Sequence, residues 1–259
     1  MKRTVFVASL LAWSATVHAH AAAATGTVTV FAAASLREAF EAAAPAFTKK
    51  TNVAVTFDFG GSDALEQQIA QGAPADVFAS ANETQMKKAG DGGLLASTPK
   101  TFVRNRLVAI VPKDNRAHVA AIADLAKPGV KVVLAAPTVP IGNYARATLK
   151  RLDGQTGFAN DFDSAVEKNV VSNELDVKAV ATKISLGEGD VGIVYVTDVT
   201  PSLAASVSEL TFPSGVVPDI AYPIAALKGA ANASGARAFV DFILSDGQAY
   251  LKARGFLAP

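Results

Sequence analysis

The sequence contains no cysteine, three histidines and one tryptophan in 259 residues. Without cysteine there is no disulfide bond, no thiolate nucleophile and no thiolate metal site. His18 and His20 lie in the N-terminal segment described next, so His118 is the one histidine left for the rest of the chain. This leaves almost no room for a Ser-His-Asp triad or a multi-histidine metal site. We expect His118, in a polar stretch, to be a surface loop residue.

The chain also lacks a long apolar run and an excess of charge of one sign. Lys2 and Arg3 precede an apolar stretch at 5–13, too short for a membrane span and typical of a signal peptide, which we predict at residues 1–21. Its removal lowers the formal charge from +1 to −1, so no basic surface points to nucleic acid or anionic lipid. We therefore expect a periplasmic protein of about 238 residues, enough for two modest domains.

Segments of strand character alternate with helical periodicity along the chain. A strand at 27–31 precedes Ser35 and a helix whose apolar residues recur at three- and four-residue intervals, and a strand at 53–59 precedes Gly60-Gly61-Ser62 and a second helix. This alternation predicts an α/β fold with parallel strand pairing. Further strands are predicted at 75–79, 106–111, 131–135, 191–196 and 220–227, and further helices from Asn82, near Tyr144, and at 234–244 and 248–254.

Two of these strand-to-helix turns place a serine just before a helix, Ser35 and Ser62. A helix N-terminus offers unpaired N–H groups and a partial positive charge, which together favour a bound anion. Serine is, however, also a favoured helix N-cap, and Ser35-Leu36-Arg37-Glu38 is a capping-box pattern. From the residues alone the cap is the favoured interpretation for both serines, although one hydroxyl can accept from the helix and donate to an anion.

Five ordered motifs give a more specific indication. The sequence resembles the periplasmic molybdate-binding protein family, the substrate receptors of molybdate ABC importers. The segments that carry the resemblance are Val30-Phe31-Ala32-Ala33-Ala34-Ser35-Leu36, Gly60-Gly61-Ser62, Gln71-Gly72-Ala73-Pro74-Ala75-Asp76-Val77-Phe78-Ala79-Ser80-Ala81, Val139-Pro140-Ile141-Gly142-Asn143-Tyr144-Ala145 and Gly192-Ile193-Val194-Tyr195.

The resemblance implies a two-lobed, type II periplasmic-binding fold, each lobe a mainly parallel sheet flanked by helices. We assign residues 26–104 and 220–259 to the first lobe and 105–219 to the second. The resemblance further implies that neutral donors hold a dehydrated oxyanion between the lobes, with no direct ligation of the metal. These donors would be the hydroxyl and N–H of Ser35 and Ser62, the N–H of Ile141 and Val177, and the hydroxyl of Tyr195.

Two positions depart from the family pattern. Ile141 stands where some members have alanine, which affects the volume of the pocket more than the number of donors. Asp63 places a carboxylate directly after Ser62. The favoured interpretation is a first-turn acid that points to solvent, and the alternative is an acceptor for a protonated oxyanion such as hydrogen phosphate. Tyr144 lies in the fourth motif, after Gly142, and is expected either to line the cleft or to pack in the core.

The expected function is capture of molybdate or tungstate and delivery to the membrane permease of an ABC importer, by a monomer without a cofactor. One alternative is a receptor for another tetrahedral oxyanion, such as sulfate or phosphate. From a different class, a secreted α/β enzyme without a histidine- or cysteine-based site remains open. An effector-sensing domain of a transcription regulator is disfavoured by the signal peptide and by the absence of a helix-turn-helix pattern.

Overall fold

The computed structural model describes residues 26–259, so the predicted signal peptide and Trp13 lie outside the described residues. Within this range the strands are β1 (Thr27–Ala33), β2 (Ala54–Gly60), β3 (Val77–Ala79), β4 (Lys100–Asn105), β5 (Leu107–Pro112), β6 (Val132–Ala135), β7 (Val170–Glu174), β8 (Val191–Tyr195), β9 (Val207–Leu210) and β10 (Ile220–Ala226). The α-helices are α1 (Arg37–Thr51), α2 (Ser62–Ala70), α3 (Glu83–Asp91), α4 (Pro140–Leu152), α5 (Phe162–Lys168), α6 (Val177–Ser185), α7 (Pro201–Ala204), α8 (Ala233–Leu244) and α9 (Gln248–Ala253). Short 3-10 helices occur at Ala34–Leu36, Ile122–Ala126 and Val196–Asp198.

The strands form two five-stranded sheets, one in each lobe. The first sheet has the order β2-β1-β3-β10-β4 and the second has the order β7-β6-β8-β5-β9. In the first sheet β1 pairs in parallel with β2 and β3, whereas β10 runs antiparallel to both of its neighbours. The second sheet repeats this arrangement, with β5 as the reversed strand. The other four strands of each sheet therefore share one direction, as the predicted α/β fold requires.

The chain passes between the lobes twice. The first passage is at Arg106, between β4 of the first sheet and β5 of the second. The second is the segment 211–219, which connects β9 to β10. The chain enters the reversed strands β5 and β10 directly after the two passages. In each sheet the carboxyl ends of the parallel strands lie at the same edge.

An aromatic cluster forms the core beneath one face of the first sheet. Helix α1 buries Ala39, Phe40, Ala43 and Phe47, the face that the periodicity predicts. The ring centroid of Phe239 in α8 lies 5.7 Å from that of Phe40 and 5.2 Å from that of Phe47, both in edge-on geometry. These contacts hold helix α8 on the first lobe. On the other face of the sheet, α2 buries Leu65 and Ile69, again as predicted.

The surface position expected for His118 can be compared with the described part of the chain. His118 is exposed in a loop and has a φ of 52°, as expected for a surface position. Between residues 26 and 259 no helix has the length and apolarity to span a bilayer. The same residues contain no group of three His, Cys, Asp or Glu side chains arranged to hold a metal ion.

Candidate functional site

A small cavity lies between the lobes, at the carboxyl ends of the parallel strands. The strand-to-helix turns of both lobes meet there, because each parallel strand delivers its following turn to the same edge of its sheet. All five predicted residues, Ser35, Ser62, Ile141, Val177 and Tyr195, line this cavity. Its other lining residues are Ala33, Ala34, Gly60, Gly61, Ala81, Val139, Pro140 and Asp176.

Ser62 is the first residue of α2 and is 1% exposed. Its hydroxyl oxygen accepts a hydrogen bond of 3.0 Å from the backbone N–H of Ala81, in the turn after β3. Because the oxygen accepts from the protein, the hydroxyl proton remains available to the cavity. The neighbouring turn therefore orients Ser62 as a hydrogen-bond donor.

A chain of hydrogen bonds also reaches Ser35. Asn105 donates one amide proton to Thr197 Oγ1 at 2.8 Å and the other to the Tyr222 hydroxyl oxygen at 3.2 Å. Tyr222 Oη in turn lies 3.0 Å from Ser35 Oγ, in a hydrogen bond that either hydroxyl can donate. When Tyr222 is the donor, the Ser35 proton is left for the cavity.

Neither serine caps its helix, so the interpretation favoured by the residues alone is wrong. Ser35 lies inside the 3-10 helix Ala34–Leu36, two positions beyond the N-cap Ala33, and makes no side-chain cap. Gly61 is the N-cap of α2, which places Ser62 inside the helix. The capping box also fails, because Glu38 binds a lysine of the other lobe instead.

The second lobe presents two helix N-termini. Ile141 and Val177 lie in the first turns of α4 and α6, where backbone N–H groups have no acceptor earlier in the helix. Asp176 caps α6 by accepting from the Ala179 N–H at 3.0 Å, which leaves the Val177 N–H free of that cap. Gly142 allows the start of α4 to lie close to β6, since a Cβ there would stand 2.1 Å from the Ala136 carbonyl oxygen.

Tyr195 has an unpartnered hydroxyl. The residue ends β8, is 1% exposed, and its buried Oη makes no hydrogen bond to any described residue. Burial raises the pKa of Tyr195 well above its usual value, so the hydroxyl keeps its proton. A buried hydroxyl that donates to nothing costs about 1–3 kcal/mol, which a bound acceptor would offset.

Asp63 does not line the cavity, and its side chain does not point to solvent as the favoured interpretation stated. Its Oδ2 accepts from the Thr138 hydroxyl of the second lobe at 2.7 Å, and its Oδ1 is buried. Gln85 reinforces this contact by donating to the Thr138 carbonyl at 3.2 Å. Asp63 therefore joins the lobes beside the cavity. Tyr144 packs against the core and also lies outside the lining.

Three charged residues lie beside the start of α6. Lys178 Nζ is 2.7 and 2.9 Å from the two carboxylate oxygens of Glu38, in the first turn of α1, and 3.1 Å from Asp198 Oδ1. Burial raises the pKa of Asp198 to about 6, and the nearby Lys178 acts against that rise. Burial lowers the pKa of Lys178, but the two carboxylates outweigh it and raise the pKa above its usual value.

Sequence reasoning missed several residues that support the site, among them Tyr222, Asn105 and Lys178. Tyr222 had one usable signal, because a tyrosine in an apolar strand needs a partner for its hydroxyl. Nothing in the pattern identified that partner, since Ser35 lies 187 residues away in the sequence. The same holds for Lys178, which is 140 residues from Glu38.

Known proteins that resemble this chain are binding proteins for solutes. Residues 28–257 match the family model described as bacterial extracellular solute-binding protein. The molybdate-binding protein ModA of Mycobacterium tuberculosis is 38% identical over 234 residues, which cover 90% of this chain and 85% of that protein. A solved substrate-binding domain of a putative molybdenum ABC transporter from Clostridium difficile is 31% identical with a TM-score of 0.65, covering 90% of this chain and 99% of that one.

The fold is also that of a solved periplasmic molybdate-binding protein from Azotobacter vinelandii, with a TM-score of 0.74 at 24% identity over 90% of this chain and 99% of that one. This match confirms the predicted two-lobed, type II periplasmic-binding fold. Members of the matched family bind solutes rather than transform them, which confirms the prediction of a binding protein and not an enzyme. The chain belongs to the bacterial extracellular solute-binding protein family.

Proposed function

We propose that this chain captures molybdate, and also tungstate, in the cavity between its lobes and delivers it to the permease of an ABC importer. The family membership supports solute binding, and the relatives named for molybdate support the choice of ion. The cavity supports it independently, because its small volume and its donors suit one compact anion.

The proposed ligands are the hydroxyl and N–H of Ser35 and Ser62, the hydroxyl of Tyr195, and the N–H groups of Ile141 and Val177. No lysine or arginine lines the cavity, and its one charged lining residue, Asp176, directs Oδ1 to the Ala179 N–H. A site of donors suits an anion that carries no proton, since such an ion offers only acceptor oxygens. Hydrogen phosphate would bring a proton that needs an acceptor, and Asp176 is the one carboxylate among the lining residues.

The Tyr195 hydroxyl is the observation on which the proposal chiefly rests. The residue lines the cavity, and its buried oxygen has no hydrogen-bond partner among residues 26–259. Buried polar groups in proteins are nearly always paired. An anion oxygen in the cavity would supply the missing acceptor, next to the hydroxyl of Ser62, whose oxygen accepts from the Ala81 N–H, and the hydroxyl of Ser35.

Export to the periplasm, through the signal peptide predicted at residues 1–21, would place the protein on the side of the membrane where an importer receives its substrate. We further propose that the protein works as a monomer without a cofactor and that the permease is its macromolecular partner. The cleft between two lobes of one chain already provides donors from both sides, so a second copy adds nothing to the site.

Calorimetric titration of the mature protein with an oxyanion panel tests the proposal. We expect molybdate and tungstate to bind with micromolar or tighter affinity. Sulfate and phosphate should bind at least about 100-fold more weakly, a difference of roughly 2.7 kcal/mol. An affinity for sulfate equal to that for molybdate would refute the molybdate assignment.

A further inference from the structure

Outside the cavity, three charged side chains connect the lobes where α6 begins. Glu38 belongs to α1 of the first lobe, and Lys178 follows Val177 in α6 of the second. Lys178 contacts both carboxylate oxygens of Glu38, and the two side chains are only 28% and 25% exposed. Asp198, in the 3-10 helix after Tyr195, is fully buried and also contacts the lysine.

The three residues differ in what they hold together. Lys178 and Asp198 both belong to the second lobe, so their contact survives any movement of one lobe against the other. Glu38 is the one member from the first lobe, and its contact with Lys178 forms only when the lobes meet. Because Lys178 is the residue after Val177, that contact also fixes the N-terminus of α6 against the cavity.

The geometry points to Glu38 and Lys178 as an interlobe latch, a pair of positioning residues that favour the closed lobes and hold the Val177 N–H toward the bound anion without contacting it. Asp198 holds Lys178 from within the second lobe, so the ammonium group is positioned for Glu38 before the lobes close. The latch rests on the proposed function in one respect, because its effect on affinity is measured with molybdate.

Glu38→Gln is the informative substitution, since it removes the interlobe charge and leaves the buried Lys178–Asp198 pair intact. Titration with molybdate should give a dissociation constant about 10-fold higher than that of the wild type, mainly through faster dissociation. Without molybdate the unfolding free energy should fall by less than the binding free energy does, because only the closed fraction of the free protein makes the contact. A merely structural role of Glu38 would lower that stability and leave the affinity intact.

Glu41→Gln is the matched control. Glu41 lies one turn further along α1 and pairs with Arg37 of the same helix at 3.3 Å, so its charge lies on the same element without reaching the second lobe. This variant should bind molybdate with wild-type affinity. If Glu38→Gln and Glu41→Gln bind equally well, the latch is wrong, whereas a wild type that fails to bind molybdate contradicts the proposed function.

A distance measurement tests the latch without any ligand. The chain has no cysteine, so spin labels can be placed selectively with Gln67→Cys in α2 and Asn143→Cys in α4, both exposed. In the absence of molybdate, Glu38→Gln should reduce the fraction of short interlobe distances relative to Glu41→Gln. Identical distance distributions in the two variants would overturn the proposal, whatever the protein binds.

Discussion

At the scale of single residues, the site depends on which group of each hydrogen bond is the donor. Ser62 accepts from the Ala81 N–H, which leaves its proton for the cavity, and Ser35 shares a hydrogen bond with Tyr222. The protein thereby restrains two freely rotating hydroxyl groups before an anion arrives. A neutral site of this kind needs no basic side chain, because oriented donors in a buried cavity stabilise a charge strongly.

Tyr195→Phe separates the effect of the Tyr195 hydroxyl on stability from its effect on molybdate binding. The substitution removes a buried hydroxyl that has no partner in the described chain, so the free protein should keep its unfolding free energy within about 1 kcal/mol or become more stable. Molybdate binding should weaken by about 1–3 kcal/mol, because one charge-assisted hydrogen bond is lost. Calorimetric titration and denaturant unfolding measure the two effects.

Tyr222→Phe provides the contrast. This hydroxyl is bonded on both sides, so its loss leaves an Asn105 proton and the Ser35 oxygen without partners and should lower stability as well as affinity. If Tyr195→Phe lowered stability as much as Tyr222→Phe and left binding intact, the Tyr195 hydroxyl would be structural.

The sequence identified the five lining residues through motif resemblance and not through their chemistry. From the residues alone Ser35 and Ser62 were interpreted as caps, because a local pattern cannot reveal that Tyr222 or the Ala81 N–H occupies the hydroxyl oxygen. Asp63 was placed in solvent for the same reason, since its partner Thr138 lies 75 residues away. A sequence shows which chemical groups are neighbours along the chain, but it does not show which residues distant in the sequence become their partners.

At the scale of helices and strands, burial determines what the sequence could predict. Strands β5, β6 and β8 are buried throughout and appear as apolar runs, so they were predicted within about one residue. Strand β7 alternates between intermediate and exposed positions and contains Ser172 and Asn173, so no apolar run indicated it. Helix α6, which begins at Val177 close after it, was likewise not predicted as an element.

Gly142→Ala tests whether the position of α4 matters for binding. A Cβ at this residue would stand 2.1 and 2.4 Å from the carbonyl oxygens of Ala136 and Ala135, which belong to rigid backbone. The start of α4 must therefore move, and the Ile141 N–H moves with it. We expect a loss of about 1–3 kcal/mol in unfolding free energy and a weakening of molybdate binding by about 1 kcal/mol or more.

Gly229→Ala is the control for that variant. No heavy atom lies within 4 Å of a Cβ built at Gly229, and the residue is not in the left-handed region. Its stability should be unchanged or higher by up to about 1 kcal/mol, with wild-type binding. Wild-type molybdate affinity in Gly142→Ala would show that the N-terminus of α4 is not part of the site.

At the scale of the whole molecule, the lobes are joined by two passages of the chain and by side-chain contacts. Asn105 ends β4 directly before the first passage and bonds both Tyr222 of the first lobe and Thr197 of the second. The pairs Asp63–Thr138 and Glu38–Lys178 join the lobes through residues outside the passages. Closure therefore assembles the site, because each lobe alone carries only part of the donors.

The melting temperature should rise when molybdate binds between the lobes. If molybdate binds with a dissociation constant of about 1 μM, about 1 mM stabilises the folded protein by roughly 4 kcal/mol. For about 238 residues each kcal/mol shifts the melting temperature by roughly 2–4 °C, so we expect a rise on the order of 8–16 °C.

Tyrosine fluorescence gives a second readout of binding. The single tryptophan, Trp13, lies in the predicted signal peptide, so the emission of the mature protein comes from Tyr144, Tyr195, Tyr222 and Tyr250. Two of these, Tyr195 and Tyr222, either line the cavity or bond a residue that does, and their fluorescence should change on binding. A melting curve and tyrosine spectrum that respond to another oxyanion, and not to molybdate or tungstate, would assign the same cavity to a different ion.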